Sequence, residues 1–172
     1  TFVRHWDTWT QPGVRSRIFT FPLADGRPEG AGTPVAPGLV GDSPTKPFGG
    51  AEELAWSADG RTLYFTLREG GRTEPNSTNL DIYAVPADAS APPTNLTNAN
   101  DATDSMPAVS PDGRTLLYAS DFGGREMYDI FASPMDGGAA GNPTNTLTLG
   151  DGNATARRVL QILEIQEAIK NS

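Results

Sequence analysis

The chain has 172 residues, 37% of them apolar, a net charge of −8 and no cysteine. The acidity disfavours nucleic acid and anionic membrane surfaces, whose partners cluster Lys and Arg; no apolar run reaches the ~20 residues of a membrane span, and disulfides and thiolate metal sites are excluded. The 19 glycines and 15 prolines lie between short apolar runs, the pattern of a turn-rich all-β protein.

In chain order, Thr1-Phe2-Val3 lacks an initiator Met and a signal-peptide pattern, so the true N-terminus is expected upstream. Arg17-Ile18-Phe19-Thr20-Phe21-Pro22-Leu23 reads as a strand, followed by a turn at Ala24-Asp25-Gly26. Ala55-Trp56-Ser57-Ala58-Asp59-Gly60-Arg61-Thr62-Leu63-Tyr64-Phe65 then recurs, offset by 53, as Ala108-Val109-Ser110-Pro111-Asp112-Gly113-Arg114-Thr115-Leu116-Leu117-Tyr118. A second element, Leu80-Asp81-Ile82-Tyr83-Ala84-Val85-Pro86, recurs as Tyr128-Asp129-Ile130-Phe131-Ala132-Ser133-Pro134, and the 17–23 strand is a weaker copy of it. From Ala154 to Lys170 there is neither Gly nor Pro. Val159, Ile162, Leu163, Gln166 and Ile169 fall on one face at helical spacing, with Asn153 or Thr155 as cap.

The repeat sets the fold expectation. Ser-Ala/Pro-Asp-Gly-Arg is a tight turn between apolar runs, with Gly taking the positive φ, and it closes a hairpin. The second element alternates apolar and polar residues and meets a Pro, which ends a strand or lies on an edge. Two hairpins per repeat make a four-stranded antiparallel blade, and radial packing of such blades gives a β-propeller. A β-sandwich of the same short strands is the alternative, although it requires no repeated turn. The expected architecture is therefore all-β, a partial β-propeller followed by a C-terminal α-helix. Residues 1–149 hold about two and a half blades (1 to about 38, 48 to 97, 104 to 149), and 150–172 form the helical tail. Two and a half blades cannot close, so the expectation is a fragment, or a chain whose open blade faces are covered by a partner or by self-association.

Arg4-His5-Trp6-Asp7-Thr8-Trp9, Pro47-Phe48-Gly49-Gly50-Ala51-Glu52-Glu53, Trp56-Ser57-Ala58-Asp59-Gly60 and Asp81-Ile82-Tyr83-Ala84-Val85-Pro86 resemble one region of the bacterial dipeptidyl and acylaminoacyl peptidases of the prolyl oligopeptidase family. The resemblance runs from Phe2 to about Tyr118. Beyond Asp121, Ser120-Asp121-Phe122-Gly123-Gly124 looks like generic TolB-type blades. In that family the propeller covers a separate α/β-hydrolase domain that carries Ser, Asp and His, and it admits and seats short peptides. The resemblance thus implies a substrate-gating propeller portion of a serine exopeptidase, inactive alone, with the hydrolase domain and short peptides as partners and no cofactor. The rival function is a TolB-like propeller that binds other proteins. A periplasmic or secreted setting is favoured over the cytoplasm.

The chemistry within the chain is sparse. No Gly-x-Ser-x-Gly nucleophile elbow occurs, and the sole histidine, His5, belongs to the propeller part of the resemblance, so no Ser-His-Asp triad is available. Paired carboxylates at Glu52-Glu53 and Asp101/Asp104 invite a glycosidase or metal reading. Some relatives use propeller carboxylates to bind the substrate's free α-amino group, which makes Glu52 and Glu53 the candidate substrate-binding residues; the bland alternative is a solvated acidic turn. Asp151-Gly152-Asn153 opens like a calcium loop, but Ile162 stands where the loop needs its Glu. Gly30-Ala31-Gly32 has no third Gly and no helix after it, and is not a dinucleotide site.

Overall fold

The structure is a computed structural model that describes residues 13–71, 74–122 and 128–135. The Arg4–Trp9 stretch with His5, the tail expected as a helix, the Asp151 loop and the last part of the 104–149 repeat lie outside those residues.

Among the described residues all regular structure is β, apart from two single turns of 3-10 helix. Twelve strands occur in chain order: β1 (Phe19–Thr20), β2 (Leu23–Ala24), β3 (Arg27–Pro28), β4 (Thr33–Pro34), β5 (Gly41–Asp42), β6 (Leu54–Trp56), β7 (Thr62–Glu69), β8 (Asp81–Pro86), β9 (Thr94–Asn95), β10 (Ser105–Val109), β11 (Thr115–Ser120) and β12 (Asp129–Pro134). All ladder pairs are antiparallel.

The repeated turns fold as their residues dictate. In the first, the Gly60 N–H donates to the Ser57 carbonyl at 2.9 Å. The Ser57 hydroxyl donates to Asp59 at 2.6 Å and accepts from the Thr62 N–H at 2.9 Å. In the second, Gly113, Ser110, Asp112 and Thr115 repeat the pattern at 2.8, 2.6 and 2.9 Å. Gly60 and Gly113 take φ of +69° and +68°, the left-handed region that costs glycine nothing. Both turns close hairpins, β6–β7 and β10–β11. The second element supplies β8 and β12, each ending on its Pro. Its weaker first copy is broken into the two residues of β1, which pair with β4, and Leu23, which opens β2. The Ala24-Asp25-Gly26 turn joins β2 to β3 with φ of +50° and +73° at Asp25 and Gly26.

The central sheet is a meander of β6, β7, β8 and β9. One edge of β7 is shared: β6 pairs with Leu63–Phe65, while β5 pairs with Arg68 and Glu69. A second meander, β10-β11-β12, lies against one face of this sheet, and the short β1–β4 strands lie on the side of the other. Leu63, Phe65, Leu67, Tyr83 and Val85 form one buried cluster with Val35, backed by Ile18, Ala36 and Leu39. Tyr64 and Ile82, facing the other way, pack with Leu116, Tyr118 and Phe131. Strand β7 is therefore buried on both faces, which explains its unbroken Leu-Tyr-Phe-Thr-Leu run. Corresponding cross-strand ring pairs stack in the two sheets, Phe65 on Tyr83 and Tyr118 on Phe131, each with centroids 5.7 Å apart.

The sheets are also tied by polar contacts. The Asp104 N–H donates to the Leu80 carbonyl at 2.9 Å. Thr103 donates from its N–H to Asp121 at 2.7 Å and from its hydroxyl to the Thr78 carbonyl at 3.1 Å. Across the first loops, Arg15 grips Glu74 through both guanidinium nitrogens at 2.7 and 2.8 Å and Asp42 at 2.8 Å.

Candidate substrate-binding turn

Between β5 and β6 the chain leaves the edge of β7 and returns, and the excursion carries Gly49-Gly50-Ala51-Glu52-Glu53. It is anchored at its start. The Ser43 hydroxyl donates to the Thr66 carbonyl at 2.7 Å, and Asp42 accepts from the Ser16 N–H at 2.7 Å and from Lys46 at 3.0 Å. Although burial opposes it, the Ser16 N–H, Arg15 and Lys46 hold the Asp42 carboxyl below the usual carboxylate range. Arg15 does the same for Glu74.

At its end the excursion closes on itself. Ala51–Glu53 form one turn of 3-10 helix, with the Glu53 N–H donating to the Gly50 carbonyl at 3.2 Å. Glu53 points inward and is buried. Its two oxygens accept from the Thr45 N–H at 2.6 Å and from the Thr45 hydroxyl at 2.5 Å. Glu52, one residue earlier, is exposed.

Both glycines sit against these carboxylates, and the anchored Glu53 makes the constraint firm at Gly49, whereas the exposed Glu52 side chain can swing away from Gly50. A β-carbon at Gly49 would lie 2.5 Å from the nearer Glu53 oxygen, and one at Gly50 would lie 2.7 Å from a Glu52 oxygen. The adjacent acids thus part company on a 3-10 turn: one fastens the loop, and the other offers a free carboxylate to a cationic donor. Thr45 carries no signal that sequence reading could have used, because its role exists only once the loop has curled back.

Asp101 and Asp104 part in a similar way. Asp101 is exposed. Asp104 is fully buried, with one oxygen accepting from the Asn100 amide at 3.2 Å and the other without a partner. Burial pushes the Asp104 carboxyl up, against the opposing pull of the nearby Ser120, Asn100 and Thr97 side chains. Burial, with the charge at Asp104, likewise pushes the Tyr118 phenol up to about 12. Among the described residues no three His, Cys, Asp or Glu side chains group as a metal site would need.

Dipeptidyl-peptidase 5 of Trichophyton equinum is 32% identical over 133 aligned residues, covering 68% of this chain and 18% of that protein. Dipeptidyl-peptidase 5 of Porphyromonas gingivalis is 30% identical over 118 residues, 68% of the chain and 17% of the relative. The chain is related to dipeptidyl peptidases. A probable dipeptidyl-peptidase 5 of Emericella nidulans is 31% identical over 129 residues. The chain spans about 18% of the length of these dipeptidyl peptidases. No protein-family model matches it.

Proposed function

We propose that the chain is a non-catalytic, substrate-gating propeller portion of a serine exopeptidase of the prolyl oligopeptidase family, whose triad belongs to a separate α/β-hydrolase domain. The repeated turn, the two corresponding meanders and their face-to-face packing support the reading of successive propeller blades. The names of the relatives support the peptidase class.

The observation that carries the site assignment is the exposed Glu52 carboxylate on a turn fastened by Glu53 and Thr45. A dipeptidyl peptidase must measure distance from a peptide's free amino terminus. A fixed carboxylate does this by pairing with the α-ammonium, and holding the group in advance lowers the cost of ordering on binding. Since an α-amino group titrates near ~7.7–8.0, the pairing weakens as pH rises through that range.

The test is calorimetric titration of the chain with a dipeptide amide and with its N-acetylated form. The free amine is expected to bind at least roughly tenfold more tightly, in keeping with a charge-assisted pair, and Glu52→Gln is expected to erase the difference. Equal binding of the two forms overturns the assignment. Turnover of a dipeptidyl chromogenic substrate by the pure chain, or labelling of it by a fluorophosphonate, overturns the non-catalytic reading.

A further inference from the structure

The rim that carries Glu52 continues into the next sheet. At the offset of 53 that relates Ser57 to Ser110, Ser105 and Met106 take the places of Glu52 and Glu53. Both sheets break their ladder here, but by different means. The first inserts the 3-10 turn Ala51–Glu53 before β6. The second slips register inside β10: Ser105 pairs with Ala119 and Ala108 with Leu117, leaving Met106 and Pro107 opposite the single residue Tyr118.

The slip changes what reaches the surface. Glu53 is buried, whereas Met106 is 53% exposed and adopts φ of +56°. That backbone conformation is costly for a residue with a side chain. Nothing in the folding of β10 calls for an apolar side chain facing water at this point, and a glycine would hold the same backbone without strain. Strand β10 runs alongside β6 and the 3-10 turn, with Cα atoms approaching within 8 Å. The exposed thioether and the exposed carboxylate of Glu52 therefore belong to neighbouring segments of one rim.

We propose that Met106 is a specificity-determining residue that receives the apolar side chain of the peptide whose amino group Glu52 holds. The inference rests on the Glu52 reading and extends it from the charged end of the substrate to its side chain. A bulge re-aims a side chain out of the ladder, and methionine, unbranched and polarisable, adapts to apolar groups of differing shape. The site would thus favour a bulky aliphatic or aromatic side chain near the amino terminus over glycine, without selecting sharply among the bulky ones.

The experiment titrates the full chain with Leu-Ala amide, Gly-Ala amide and N-acetyl-Leu-Ala amide, using the unaltered protein and Met106→Gly. The glycine variant removes the side chain while suiting the backbone, and a circular dichroism melt checks that it folds. The expected result is a preference for Leu over Gly that drops roughly tenfold in Met106→Gly, the scale of losing a small apolar contact, with discrimination against the acetylated peptide unchanged. An unchanged preference for Leu, with the acetylated peptide still rejected, overturns the Met106 inference and leaves the Glu52 reading standing. Equal binding of free and acetylated peptides overturns the Glu52 reading and, with it, the pairing drawn here. Absence of binding by all three peptides at millimolar concentration overturns both.

Discussion

Glu53 accepts two short bonds from a single residue, Thr45, inside the protein. Glu53→Gln puts an amide NH2 against one of those donors, and an unsatisfied buried donor costs about 1–3 kcal/mol. The variant is expected to shift the urea midpoint by that amount, while Glu52→Gln stays within about 0.5 kcal/mol of the unaltered protein. Gly49→Ala is expected to destabilise at least as much as Glu53→Gln, because its new carbon meets the Glu53 carboxylate at 2.5 Å. Sequence alone marked Glu52 and Glu53 as a pair but did not separate their roles. Separation requires Thr45, eight residues before Glu53 across a loop with no periodicity to read.

Among the elements, the hairpins were legible because their chemistry is local: Ser, Asp and Gly within five residues specify the whole turn. Gly60→Ala and Gly113→Ala are each expected to cost about 1 kcal/mol. The space beside Gly60 is open, and Gly113 has only the Ala58 methyl at 3.5 Å, so the penalty comes from the backbone and should be similar at the two sites, as matched denaturation curves would show. Of β1 to β5, the 17–23 stretch was legible only as one unbroken strand followed by a turn, and β3, β4 and β5 not at all, since two residues apiece show no alternation. The slip in β10 was hidden for another reason. Met106-Pro107 looks like the start of a strand, and only the pairing with Ala119 and Leu117 exposes the extra residue.

For the molecule as a whole, the stacking of sheets on both faces of the central one concentrates stability in β7 and β8. Phe65, fully buried between strands and stacked on Tyr83, is expected to cost about 3–5 kcal/mol on replacement by Ala. The charged groups give stability a dependence on pH with two opposing limbs. Asp42 and Glu74 titrate below their ordinary range in the fold. Their contribution is complete above the unfolded carboxylate values and is lost as pH falls through the lowered ones. Asp104 runs the other way. Its contribution is full below the ordinary Asp value and is lost as pH rises through the raised one. Asp104→Asn is accordingly expected to remove the fall in melting temperature that accompanies rising pH above the ordinary Asp range and to leave the acid limb in place, whereas Asp42→Asn should flatten that limb; melts recorded from acid to alkaline pH distinguish the two.

The shared edge of β7 has a consequence for how such a rim changes. Because β5 and β6 occupy different stretches of that edge, residues 43–53 amount to a detour from a road that resumes on the same line. The detour can be rerouted while Gly41, Asp42 and Leu54–Trp56 keep their ladder partners, so the loop that carries Glu52 is a cassette whose exchange must replace the Ser43 and Thr45–Glu53 fastenings but leaves the strand pairing beneath it in place.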